Sequence, residues 1–163
     1  MTFHRLRLLG ATGSGKSYLA KVIADTSDLV HINLDKLIYE HSPEGKIIRK
    51  YPEQDRNNTL QKMLSHNRWI VEGTYYQNWA TSSFEQADLI LILNIPRHIR
   101  YWRIIKRTFQ HRYSLPRLIM HLKYSYRWEK KHKAKAFETL EPFLHKVREI
   151  NSFHEAFRLI NHS

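Results

Sequence analysis

The chain has 163 residues, the size of one ordinary domain, and its 42% hydrophobic and 26% charged content is globular, which excludes a disordered or collagen-like chain. It contains no cysteine, which excludes disulfides, a thiolate nucleophile and a cysteine metal site and fits a reducing, cytoplasmic setting. Net charge is +12, and the whole excess falls in residues 97–135, where thirteen Lys and Arg face Glu129 alone.

Phe3–Leu9 predicts a first strand, running into Gly10-Ala11-Thr12-Gly13-Ser14-Gly15-Lys16-Ser17. Leu19, Val22 and Ile23 then carry the i, i+3, i+4 spacing of a helix that ends near Asp25–Asp28. Leu29–Leu34 predicts a second strand with Asp35 at its end, and residues 41–50 a polar loop. Pro52-Glu53 open a helix carrying Leu60, Met63 and Leu64. Trp69–Val71 form a third strand closed by Glu72-Gly73, residues 74–82 a loop, and Asp88–Ile95 a fourth strand, apolar on both faces. Leu89–Leu93, the longest apolar run, is far short of the roughly 20 residues that cross a bilayer. Helical patterns fill 97–112, 115–130 and 134–145. A last strand, Val147–Ile150, precedes a helix opened by Ser152 and Glu155 at capping-box spacing. Strands alternating with helices predict one α/β domain over residues 1–163, with a parallel sheet covered on both faces.

Gly10–Ser17 matches G-x-x-x-x-G-K-[ST] at every fixed position, between a strand and an amphipathic helix. Gly13 and Gly15 let the backbone curl so that N–H groups point inward at a helix N-terminus, an anion site. Lys16 is expected to reach the β- and γ-phosphates of ATP, and Ser17 to offer its hydroxyl to Mg²⁺. Ligands in such sheets bind outside the carboxyl ends of the strands, where Asp35 and Glu72 stand. Asp35 can orient or deprotonate an acceptor hydroxyl, or can simply cap the following helix. Glu72 can hold the Mg²⁺ water shell, or can be a surface acid of a turn.

Arg100, Arg103 and Arg107 fall on one stripe of their helix, with Trp102, Ile105 and Phe109 opposite. The aromatic stripe is expected to pack and the arginines to reach phosphate oxygens, the alternative being a solvated charged face. Leu115, Leu118, Ile119 and Leu122 mark a second expected core face. The basic segment itself, interleaved with Tyr101, Tyr113, Tyr124, Tyr126 and Trp128, suits nucleotide phosphates, nucleic acid or an acidic membrane surface. The eleven histidines show no metal-ligand spacing on a helix.

The phosphate loop, His31–Leu37, Trp69–Tyr75 and Ile95-Pro96-Arg97 followed by Trp102–Arg107 together resemble adenylate-kinase-like phosphate-loop kinases. Within these the chain looks like the bacterial DNA topology modulation proteins. The resemblance implies a three-layer P-loop NTPase fold: a five-stranded parallel sheet of order 2-3-1-4-5, helices on both faces, and a helical lid over about 97–135. It implies that Glu72-Gly73 belongs to the metal shell and that Arg103 and Arg107 serve the donor base and the transferred phosphates. The nucleotide-kinase run D-G-F-P-R is here Glu72-Gly73-Thr74-Tyr75-Tyr76, without the Pro and Arg that help bind an acceptor monophosphate. The expected activity is phosphoryl transfer from Mg·ATP to a small molecule such as a nucleoside or nucleotide. The alternative is a nucleic-acid-binding protein in which ATP binding is regulatory or vestigial.

Overall fold

In the computed structural model, which describes residues 3–41 and 47–161, the five predicted strands lie side by side. The chain runs β1 (Arg5–Gly10), α1 (Lys16–Ser27), β2 (Val30–Asn33), α2 (Leu34–Ile38), β3 (Tyr39–His41), β4 (Ile47–Lys50), α3 (Glu53–Leu64), β5 (Trp69–Glu72), α4 (Thr81–Glu85), β6 (Leu89–Leu93), α5 (Arg97–Gln110), α6 (Leu115–Arg127), α7 (Lys133–Leu140), β7 (Val147–Ile150) and α8 (Phe153–Asn161). A π-helical turn, Trp128–His132, joins α6 to α7.

The main sheet is parallel, in the order β2-β5-β1-β6-β7. Counted among themselves these five strands run 2-3-1-4-5, as expected; the labels shift because β3 and β4 form a separate antiparallel hairpin. Side chains alternate across the sheet and fill two layers. Leu9, Trp69, Val71, Ile90 and Ile92 pack with Leu60, Leu64, Phe84 and Leu140, from α3, α4 and α7. Leu6, Leu8, Ile70, Leu89 and Leu91 pack on the other face with Leu19, Ile23, Ala156 and Ile160, from α1 and α8. The unbroken apolar run of β6 is therefore buried on both sides, as a central parallel strand requires. At the start of α8, the Glu155 amide donates to Ser152 Oγ at 3.2 Å, and the Glu155 carboxylate accepts from the Asn151 amide at 2.9 Å.

Several local expectations are corrected. The loop expected over 41–50 contains β4, paired to β3; its tip, residues 42–46, lies outside the described residues. Residues 74–82 include a short 3₁₀ turn, Asn78–Ala80, and the start of α4.

The larger correction concerns α5. Trp102 and Phe109, expected to pack, are 65% and 76% exposed. The buried face is Arg100, Ile104 and Thr108, because Arg100, only 3% exposed, is neutralised by Glu129 at 2.5 Å and donates to the Ser125 carbonyl. An arginine with both a counter-charge and a carbonyl acceptor can be buried, and it takes the helix face that aromatic residues otherwise hold. The expected core face of α6 is likewise open: Leu115 and Ile119 are exposed, and Leu118 and Leu122 are half-buried.

Candidate functional site: a phosphate cradle opening on an aromatic and cationic cavity

The turn between β1 and α1 is fixed by glycine. Gly13 and Gly15 have φ of 84° and 88°, in the left-handed region that other residues enter only with strain. Space demands glycine too: a Cβ on Gly15 would lie 2.5 Å from Phe153 Cζ, and one on Gly13 would lie 2.6 Å from the Arg100 carbonyl oxygen. Lys16 begins α1 only 9% exposed, with no hydrogen bond or ion pair among the described residues. Ser14 Oγ is also buried without a partner. A buried ammonium beside free helix-terminal N–H groups, with no protein carboxylate on it, fits the phosphate groups of ATP.

Thr12, Gly13, Gly15, Lys16 and Ser17 line a cavity of about 670 Å³, while Gly10, Ala11 and Ser14 shape the loop behind them. Arg103 and Arg107 line the same cavity. Arg103 Nη1 donates to the Ser14 carbonyl at 2.7 Å, and its guanidinium lies 5.1 Å from the centre of the Phe153 ring. Arg100, the third member of the predicted stripe, is turned away into the Glu129 pair.

Asp35, in the first turn of α2, lines the same cavity. The cap of that helix is Asn33, whose Oδ1 accepts from the Asp35 amide at 2.9 Å, so the Asp35 carboxylate is not spent on capping. It accepts instead from the Tyr75 hydroxyl at 2.7 Å. Burial drives the Tyr75 phenol well above its usual range, and the Asp35 charge and hydrogen bond push the same way. Tyr75 therefore remains a donor at any working pH. Tyr39, Tyr76, Tyr124 and Trp128 extend this wall in aromatic surface.

Glu72 is fully buried, which rules out a surface turn. It is absent from the cavity lining, and neither carboxylate oxygen has a hydrogen-bond partner. Two orphaned carboxylate oxygens at the end of β5, with the Ser17 hydroxyl on the cavity wall, are hard oxygen donors of the kind Mg²⁺ takes.

Sequence patterning missed Arg7. Its place among Leu6, Leu8 and Leu9 suggests a solvent-facing residue, but it is completely buried. Nη1 donates to the Leu8 and Gly73 carbonyls at 2.6 and 3.3 Å, Nη2 to the Tyr75 carbonyl at 2.8 Å, and Nε to Ser83 Oγ at 3.1 Å. Burial brings the guanidinium down to about 9, with the Glu72 charge opposing, so it stays protonated at neutral pH. Arg7 thus pins the loop that carries Tyr75.

No family model matches the chain. The "Uncharacterized protein YqaC" of Bacillus subtilis (strain 168) is 29% identical over 106 residues, covering 64% of this chain and 57% of that protein. Shikimate kinase from Acinetobacter baumannii, solved with shikimate, superposes with a TM-score of 0.63 at 16% identity, over 98% of this chain and 93% of the other. The fold is that of the P-loop kinases. A gluconokinase from Sinorhizobium meliloti 1021 shares it with a TM-score of 0.55 at 16% identity, over 93% and 85% of the two chains. So does an uncharacterized protein from Eubacterium ventriosum, with a TM-score of 0.57 at 13% identity over 96% of each. Among the described residues, no helix of this P-loop kinase fold is long and apolar enough to cross a membrane.

Proposed function

We propose that the protein is an ATP-dependent kinase that phosphorylates a hydroxyl group of a small molecule. The observation that carries this reading is that Lys16, which no protein carboxylate neutralises, and the Asp35 carboxylate, which capping does not use, line one cavity. Mg·ATP bound on Gly10–Ser17 would supply the phosphoryl group, with Ser17 and Glu72 as the residues available to the metal. Lys16, Arg103 and Arg107 neutralise charge as it shifts during transfer; arginines in related chemistry contribute about 10³–10⁵ in rate. Asp35, held by Tyr75, orients the acceptor hydroxyl and receives its proton. The aromatic wall of Tyr39, Tyr75, Tyr76, Tyr124 and Trp128 favours an acceptor with a flat ring, such as a nucleoside or nucleotide. In this reading residues 97–135 form the lid of a single 1–163 domain in a cytoplasmic enzyme. Incubation with γ-labelled ATP, Mg²⁺ and pooled metabolites tests it: a labelled product that disappears in Asp35→Asn is expected, and no product from any pool rejects it.

A second reading rests on the outward face of α5. Trp102 and Phe109 stand in solvent, on the same basic segment as exposed Arg112, Arg117, Lys123, Lys130 and Lys131. Exposed aromatics among cations can stack bases of single-stranded nucleic acid. This is the role under which the likeness to DNA topology modulation proteins would hold. Salt-sensitive DNA binding without ATP, lost in Trp102→Ala, would favour it over the kinase.

A further inference from the structure

We propose that the cavity holds a second oxyanion subsite, formed by Arg127, His132 and Tyr76, which grips an anionic group on the acceptor itself. The inference rests on the kinase reading and adds to it what the acceptor carries: a phosphomonoester or a carboxylate.

The π turn creates the juxtaposition. Arg127 closes α6, and the Lys133 amide donates to the Trp128 carbonyl, the widened i→i+5 bond of a π-helix. Such a turn brings residues five apart toward one side, and Arg127 and His132 both line the cavity. Tyr76 faces them from the loop after β5, its hydroxyl 2.8 Å from His132 Nδ1. When the phenol donates to Nδ1, the neutral imidazole carries its hydrogen on Nε2; a protonated ring donates from Nε2 as well. Tyr76 thus leaves Nε2 as the donor both in the neutral ring that accepts its proton and in the protonated ring.

Two acids of the neighbouring elements are engaged elsewhere. Glu129 pairs with Arg97 and Arg100, and Glu149 with Lys133. Burial, and then the Glu138 charge, raise the Tyr76 phenol and keep it a donor, so Arg127 and His132 must outweigh that acid for an anion to bind. Arg127 has no ion pair or hydrogen bond among the described residues. His132 is held below its usual range by burial and then by Lys135, Arg127 and Lys131, so an arriving anion reverses the local repulsion. Adjacent residues link the two ends of the site. Tyr75 holds Asp35 and Tyr76 holds His132, so an acceptor gripped by its oxyanion has its hydroxyl on the Asp35 side.

The test uses inorganic phosphate and acetate as separate probes, read by the imidazole carbon–proton signals, with His132→Gln identifying the His132 signal. It is run in wild type and in Lys16→Ala, where the phosphate loop no longer competes for anions. At least one probe should move the His132 signal in both proteins and raise its titration midpoint. Arg127→Gln should weaken that binding by about tenfold or more, and Tyr76→Phe by several-fold. Phosphate as the tighter probe assigns a phosphorylated acceptor, and acetate as the tighter probe assigns a carboxylic acid. A His132 signal unmoved by both probes overturns the subsite, as does Arg127→Gln protein of native circular dichroism binding within twofold of wild type. Because the subsite is read in Lys16→Ala, a wild type that fails to bind Mg·ATP rejects the kinase reading without deciding this one.

Discussion

The Tyr75 hydroxyl donates to Asp35 Oδ1 at 2.7 Å, joining the loop after β5 to the first turn of α2. This bond crosses the rim of the cavity and orients a carboxylate that helix capping does not use. Asp35→Asn should lower phosphoryl transfer by about 10²–10⁴, the span of general base catalysis, with little change in thermal midpoint. Tyr75→Phe keeps the carboxylate but frees its orientation, so its loss should be smaller, about tenfold, and should appear in kcat more than in KM. Steady-state kinetics of the two variants checks the order, and equal losses would mean that Tyr75 does more than orient.

Lys16→Ala removes the buried ammonium that no protein carboxylate neutralises. Isothermal titration should show ATP affinity falling by about tenfold or more, the scale of a lost charged hydrogen bond. Stability should hold or rise slightly, since an unpaired buried charge costs free energy in the free protein.

Glu129 gives the junction of α5 with the π turn a defined pH response. Its hydrogen bond to Arg97, aided by Arg100 and opposed by burial, holds the carboxyl at about 2 against an ordinary 4.5. A depressed carboxylate stabilises fully above 4.5, and that stabilisation is lost as pH falls toward 2. Amide protection factors over 125–132, corrected for the intrinsic pH dependence of exchange, should fall in that window. Glu129→Gln should show the lower protection already at pH 7 and no further step on acidification.

Arg7→Met should destabilise by about 3 kcal/mol, because it leaves the Gly73 and Tyr75 carbonyls without this donor in a dry interior. Arg7→Lys should recover only part of the loss, since one ammonium cannot span Ser83 Oγ and the Tyr75 carbonyl together. Urea unfolding midpoints decide between these outcomes.

Trp102→Ala and Phe109→Ala should each change stability by no more than about 0.5 kcal/mol, the usual effect at an exposed position. Had these rings packed against the sheet, each truncation would cost about 3–5 kcal/mol. Thermal melts separate the two directly.

The sheet and the phosphate loop were legible because their signals are local. β6 shows five consecutive apolar residues, and Gly10–Ser17 carries glycine at each of its three positions of positive φ. The inner face of α5 was not legible, because burial of Arg100 depends on Glu129, 29 residues farther along. Helical periodicity ranks aromatic residues as core and cannot register a remote counter-charge. The role of Arg7 was hidden for a similar reason: its acceptors are backbone carbonyls, which no side-chain pattern reports. In the site, Asp35 and Tyr75 could each be placed on an element, but their meeting follows from β2 and β5 lying side by side with Asn33 opposite Glu72.

The contact between Gly15 and Phe153 has a consequence for the order in which the molecule can assemble. The ring at the start of α8 sits against the phosphate loop, stacked with Tyr18 at 5.8 Å and lying under Arg103. During synthesis the loop emerges before its aromatic cover, which follows only after every strand of the main sheet has been made. A nascent chain halted before Phe153 carries an uncovered loop whose Arg103 also lacks its aromatic seat. Closing so long a segment is entropically costly and slow, so the loop should reach its native geometry among the last events of folding. The binding competence of this motif is therefore tied to a residue translated only after the whole main sheet.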